Sequence, residues 1–293
     1  RQSMRATYLA RAATQGAQIL SRTRAVRILF RGSKARAVEA EHTTIEGKRF
    51  LLTITCERLI LACGALQTPL LLRRSGMTKH IGDSLRFHPT LRISALFPEK
   101  IEPWKELMSP LQIKSLAPDI SFGMSLGWPP HLATSLMPEW PASQALLPSL
   151  DKLAIYYVMT PSHGRGFVRP LGRRHYRVGY HLVPQDIHLL QKGYGELIDL
   201  LERAGATSLI GSIRTEAKHK ETWSARDLFA MSIHAFSSCP MGEADDCPVD
   251  SYGGLKGTDN ISIQDASLLP EAPSVNPQLT IMATVLRNLT HRS

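Results

Sequence analysis

Three short runs near the C-terminal end hold residue types that can do chemistry. They are His234-Ala-Phe-Ser-Ser-Cys-Pro-Met-Gly242, Asn260-Ile-Ser-Ile-Gln-Asp-Ala-Ser-Leu-Leu-Pro270 and Val275-Asn-Pro-Gln-Leu-Thr280. A histidine titrates near neutral pH and can accept a proton from a reacting group. The third run opens a helix, and a helix start presents unpaired backbone N–H groups and the positive end of the macrodipole. The combination is a base beside a place that accumulates negative charge. A reduced flavin, whose pyrimidine edge becomes anionic, suits such a place. Each run also has a plainer reading: Asn-Pro as a simple helix cap, and the histidine as a packed or surface residue.

Specific elements must position these residues. Ile261 to Ile263 alternates apolar and polar and then reaches Asp265 and Ser267, which predicts a short strand stopping in a turn. Asn276 suits the N-cap and Pro277 the first helical position, with Leu279, Met282, Leu286 and Leu289 as one apolar stripe, and Arg287 and His291 near the C-terminal end. Upstream, residues 3–15 predict a helix stopped by Gly16. Ile19 to Leu29 and Arg36 to Glu41 predict two strands across the Gly32-Ser33 turn. Phe50 to Cys56 and Arg58 to Cys63 predict two more, the second almost wholly apolar and so central and buried. A small-residue turn at Gly64-Ala65 follows, where a helix or ligand can approach closely. A helix is expected from Thr68-Pro69 to Ser75-Gly76. From about Leu96 the chain is proline-dense. Strands are expected at Ala154 to Met159, Tyr176 to Val183 and Ser208 to Arg214, with an amphipathic helix from Asp186 to Ala204.

Composition narrows the classes. The 293 residues carry a net charge of +10, of which +8 lies in the first fifty residues. Only Tyr8, Phe30 and Phe50 are available for base stacking there, so a solvated or partner-facing surface is expected rather than nucleic-acid binding. No run of eighteen apolar residues occurs, so no transmembrane segment is expected. The four cysteines form neither a disulfide framework nor a zinc pattern. Reduced thiols, no metal and, from the cysteine usage, a cytoplasmic location are expected; the chain starts Arg-Gln-Ser-Met rather than with Met, and its first residues say little about location.

In this order, the residues His234, Ser238, Cys239, Met241, Gly242, Asp265, Ser267, Pro270, Asn276, Pro277 and Thr280 resemble the C-terminal pattern of the glucose–methanol–choline (GMC) flavin oxidoreductases. Ser237 departs from it, standing where the family usually has the glycine of a tight turn. Gly64-Ala-Leu-Gln-Thr-Pro-Leu-Leu-Leu-Arg-Arg-Ser-Gly76 resembles the family's second pattern. Ile81-Gly-Asp-Ser-Leu-Arg-Phe-His88-Pro89 resembles its exit from the cofactor domain.

The resemblance implies an α/β (α+β) fold with FAD as cofactor. Residues 1–95 and 225–293 would be the middle and C-terminal segments of a partial Rossmann-like FAD-binding domain lacking its N-terminal βαβ unit. Residues 96–224 would be an antiparallel-sheet substrate domain. It further implies hydride transfer from the CH–OH group of an alcohol, with His234 as base and Asn276 as its partner. The flavin would lie near Val26, Gly64, Asp265, Ala266 and Gln278, with oxygen, a quinone or a carrier as electron acceptor. A Gly-x-Gly-x-x-Gly fingerprint is absent: Gly164-x-Gly166 meets Arg169, and Gly193-x-Gly195 meets Ile198. The chain is therefore expected to match only the C-terminal half of the family, as a fragment, a piece of a split enzyme, or a remnant without activity.

Overall fold

A two-residue loop with a left-handed glycine matches the twist of two antiparallel strands, and Gly32 (φ +63°) with Ser33 forms such a turn. The computed structural model describes residues 3–105, 112–217 and 219–292. Helix α1 (Tyr8–Thr14) buries none of its residues and is shorter than the expected 3–15. Strands β1 (Thr23–Arg31), β2 (Lys34–Thr43) and β3 (Arg49–Thr55) form an antiparallel sheet in that order.

The apolar run Arg58–Cys63, expected as a central buried strand, contributes only β4 (Leu59–Leu61), one half of a two-stranded parallel pair. Ile60 is 49% exposed. An apolar run says that a surface wants cover, not which neighbour supplies it. Helix α2 (Gly64–Arg74) also departs from expectation by starting at Gly64, so Pro69 lies inside it. Proline has no N–H to give the carbonyl four residues back, that of Ala65. The Ser238 hydroxyl takes the vacancy, donating to Ala65 O at 2.6 Å in the buried interior.

The middle of the chain contributes β5 (Arg86–Phe87), β6 (Thr90–Leu96), β7 (Gln112–Ile113), β8 (Ser121–Met124), α3 (Pro129–Ser135) and β9 (Leu153–Met159). Next come β10 (Gly166–Leu171), β11 (His175–Tyr180), α4 (Pro184–Arg203) and β12 (Ser208–Gly211). Five of these strands form an antiparallel sheet in the order β12-β6-β9-β8-β7. Because β6 begins at Thr90, the expected division at residue 95 falls within a strand. Helix α4 lays Leu190, Tyr194, Leu197 and Leu201 onto this sheet in a core with Leu91, Ile93, Ile120 and Val158. Gly193 permits the approach, since a Cβ there would collide with Val158 and Ile120.

The chain closes with β13 (Ala235–Phe236), which pairs with β5, β14 (Ile261–Ile263), which runs parallel to β4, and α5 (Gln278–Arg292). A second core unites the two ends of the sequence: Ile28, Leu61, Leu71, Leu72 and Ile81 pack with Phe236, Val249, Ile261, Ile263 and Leu268. Helix α5 turns its other side inward from the one expected. Leu279 and Leu286 are 75% and 68% exposed, Met282 and Leu289 are exposed too, and fully buried Asn288 donates to Gln264 Oε1 at 3.2 Å. That buried polar pair fixes the rotation of the helix. No helix among the described residues is long and apolar enough to cross a membrane.

Candidate active site

The parallel pair β4 and β14 ends in two turns that Asp265 joins. Its Oδ2 accepts the Gly64 N–H at 3.0 Å and the Thr68 hydroxyl at 2.5 Å, and its Oδ1 accepts the Ser267 N–H at 2.8 Å. Thr68 in turn accepts the Cys63 N–H at 3.2 Å. Asp265 is only 7% exposed, so its carboxylate faces inward. The Asp265 side chain clasps the two strand ends and leaves backbone to face outward. In open α/β sheets ligands bind beyond the carboxyl ends of the parallel strands, and both turns lie there. Gly64 adopts φ +83° with nothing within 4 Å of where a Cβ would sit, so its side faces open space.

His234 precedes β13 and reaches His88, between β5 and β6, with the two Nδ1 atoms 2.9 Å apart. His88 Nε2 lies 2.5 Å from the Pro273 carbonyl oxygen. The hydroxyl oxygen of Ser232 accepts the backbone N–H of both histidines, each at 3.2 Å, and Ser232 donates to His234 O at 2.9 Å. Burial holds the His88 pKa down to about 4, against the pull of the Pro273 carbonyl and with help from the nearby His234 and Lys114 charges. Burial also lowers the pKa of His234. Both rings are therefore neutral imidazoles at neutral pH. Cys239, fully buried beside this region, has its thiol pushed up by burial and is not a nucleophile.

Asn276 follows three residues after Pro273 and belongs to an adjoining network. Its Oδ1 accepts from Gln112 Nε2 at 2.6 Å, and the same Nε2 donates to Tyr157 Oη at 3.1 Å. With Oδ1 held, the amide NH2 is left to donate. The expectation that Asn276 caps α5 and Pro277 is its first residue is off by one. The helix begins at Gln278, with the Ile281 N–H donating to Pro277 O at 2.8 Å. No hydrogen bond joins His234 to Asn276 among the described residues. The link between them is indirect: His234 bonds His88, and His88 bonds the carbonyl of Pro273, three residues before Asn276.

The other expected residues are dispersed around these networks. Ala266 opens the 3-10 turn Ala266–Leu268, and its carbonyl accepts the Ser237 N–H at 3.1 Å. Gln278 is exposed at the start of α5. Val26 sits at a bulge in β1, and no hydrogen bond joins it to this group among the described residues. The sequence reading missed Thr68, Gln112, Tyr157 and Ser232 as site-building residues, and it noted His88 only within a domain-exit motif. The one available signal was that His88 precedes a proline inside that motif.

Ser237 stands in the left-handed region at φ +59°, as a glycine turn demands, and its buried hydroxyl has no hydrogen-bond partner among the described residues. Strain of this kind costs on the order of 1 kcal/mol or more, and an unpaired buried hydroxyl a similar amount. Against that stands ~0.5–1 kcal/mol of extra chain entropy for glycine. Ser237→Gly is expected to raise stability by about 1 kcal/mol, seen in urea unfolding as a higher midpoint at unchanged slope. A lower midpoint would show that the hydroxyl has a partner worth keeping.

Comparison with known proteins places this geometry among relatives. Two family models described as GMC oxidoreductase match residues 1–90 and 162–284. The match thus takes in the family's N-terminal model as well as its C-terminal one. An uncharacterized GMC-type oxidoreductase of Sinorhizobium fredii is 35% identical over 307 residues, covering 98% of this chain and 59% of the relative. One from Mycobacterium tuberculosis is 31% identical over 297 residues, covering 95% and 46%. A long-chain-alcohol oxidase of Arabidopsis thaliana is 26% identical over 264 residues, covering 76% and 35%. Among solved structures, pyridoxine 4-oxidase from Mesorbium loti superposes with a TM-score of 0.67 at 19% identity, over 92% of this chain and 57% of that one. An FAD-dependent oxidoreductase from Chaetomium thermophilum gives 0.63 at 16%, over 99% and 64%. The chain spans about half the length of the curated relatives it matches.

Proposed function

This chain belongs to the GMC oxidoreductases, an FAD-dependent family, and from that premise we propose that it carries the catalytic end of an enzyme oxidising the CH–OH group of an alcohol. FAD, when bound, supplies the two-electron acceptor. The observation that carries the reading is a neutral His234, hydrogen-bonded to a buried second histidine, next to the segment that delivers Asn276. An alcohol holds its proton near neutral pH, so a positioned base is needed as the carbon–hydrogen bond breaks. His234 takes that proton. The Asn276 NH2, oriented by Gln112, donates to the substrate oxygen and fixes its direction. The relatives named long-chain-alcohol oxidase support an alcohol as donor.

The residues present suit the ring end of the cofactor. Gly64 offers an open face and Ala266 and Gln278 would offer backbone, while the start of α5 would supply a positive dipole end to a reduced, anionic ring. Val26 would meet the adenine. For the pyrophosphate end the sequence has no Gly-x-Gly-x-x-Gly fingerprint. Gly166 lies in the β10-β11 hairpin and Gly193 within α4, where each serves close packing. We therefore read residues 1–95 and 225–293 as part of an FAD-binding domain, and the five-stranded sheet as a wall of the substrate cavity. The common core of the two outer segments favours this, as does the greater length of the relatives.

The reading is tested by titrating the purified chain with FAD, alone and co-expressed with the part of the Sinorhizobium relative that this chain does not cover. Bound flavin that loses its absorbance when an alcohol is added anaerobically is the expected result. A preparation that takes up no FAD in either form would favour a non-catalytic remnant.

A further inference from the structure

We propose that His88 is a positioning residue that locks His234 in one tautomer, with the proton on Nδ1 and the lone pair on Nε2. The inference rests on the reading of His234 as base and adds to it the atom that does the work.

Proton counting along the chain of contacts leads to it. The Pro273 carbonyl oxygen has no proton to give, so the bond at 2.5 Å requires an N–H on His88 Nε2. A neutral imidazole carries one N–H, so His88 Nδ1 presents a lone pair. The neighbouring Nδ1 of His234, 2.9 Å away, must then be the donor. With its proton on Nδ1, neutral His234 has its lone pair on Nε2, the nitrogen pointing away from the pair. The opposite assignment would set two lone pairs or two protons against each other.

The surroundings keep the arrangement from slipping. His88 is fully buried, and burial opposes the doubly protonated ring that would reverse the direction of the bond. The His88 and His234 rings cross at 87°, and Phe236 packs on His88 at a centroid distance of 4.6 Å, so His88 is held between two rings. Ser232 binds both main chains and sets their spacing. The titratable groups around the pair are His88 and His234 themselves and Lys114. A neutral partner differs in consequence from a carboxylate. It directs the proton without stabilising an imidazolium strongly, and the base therefore keeps a low proton affinity and releases its proton readily after turnover.

The test is nitrogen-15 NMR of the histidine-labelled chain, reading which ring nitrogen carries the proton. Assignment comes from the His88→Asn and His234→Gln spectra. His234 is expected as the Nδ1–H form and His88 as the Nε2–H form. His234 carrying its proton on Nε2 at neutral pH would overturn the proposal. In His88→Leu, which offers no acceptor, His234 should become a mixture of tautomers, whereas His88→Asn, which keeps an oxygen near the Nδ1 position, should preserve one. An unchanged tautomer in His88→Leu would also overturn it. In flavin-loaded protein, His88→Leu should lose about ten- to a hundredfold in kcat with KM little changed, and His88→Asn should recover most of it. The spectra need neither flavin nor turnover. A correct tautomer in a chain whose His234 variant keeps full activity would defeat the alcohol-oxidising reading and leave this one standing. If His88→Leu does not fold, the wild-type and His88→Asn spectra still decide.

Discussion

Flavin-loaded protein carrying His234→Ala should turn over an alcohol at least about a hundredfold more slowly, with FAD still bound and its absorbance unchanged. The size follows from what a positioned base contributes, and the retained flavin from where His234 lies. Its ring bonds His88, whereas the strand ends that would face the cofactor are tied by Asp265, Gly64 and Thr68. The pH profile gives a second check. Burial lowers the His234 pKa from its ordinary 6.5. The base form is the neutral ring, so activity is full above that lowered value and is lost as pH falls through it. The acid limb of kcat/KM should therefore lie below pH 6.5 and should vanish in His234→Ala. Unchanged turnover in the variant would remove His234 from the chemistry, and an acid limb above neutrality would mean a different group carries the proton.

Asp265→Ala should cost about 3–5 kcal/mol of stability, measured as a large fall in the urea midpoint. Removal of the carboxylate strands three donors at once: the N–H groups of Gly64 and Ser267 and the fully buried hydroxyl of Thr68. Each unpaired buried donor costs ~1–3 kcal/mol, reduced where water can enter. Typical domains have only about 5–15 kcal/mol in hand, so the variant should lie close to unfolding at ambient temperature. A loss below about 1 kcal/mol would mean that water replaces the carboxylate and that the clasp is dispensable.

The two substitutions act at places the sequence reveals unequally. His234 and Asn276 stand out by residue type and by motif order, and the turn at Ser237 could be read as needing a left-handed residue, which φ +59° bears out. The hairpin at Gly32-Ser33 and the apolar stripe of α4 were also legible, since both follow from local geometry and periodicity. The clasp was not. Asp265 and Thr68 are 197 residues apart, and nothing in the spacing of either motif names the other as its partner. Nor was the service that Ser238 gives to the carbonyl freed by Pro69, which brings two motifs into one structural unit.

Residue type determined the repertoire: a titratable ring at 234, an amide at 276, a proline at 69 that must leave a carbonyl free, and amphipathic faces that want cover. Tertiary structure decided the pairing. His88 finds His234 across 146 residues and Gln112 finds Asn276 across 164, because burial in two apolar cores offsets the entropy of closing such long loops. It also decided orientation. The pattern of α5 marks Leu279, Met282, Leu286 and Leu289 as one face, yet the buried bond from Asn288 to Gln264 turns that face outward. Periodicity records that a helix has two sides. Which side is buried depends on what a distant segment brings against it.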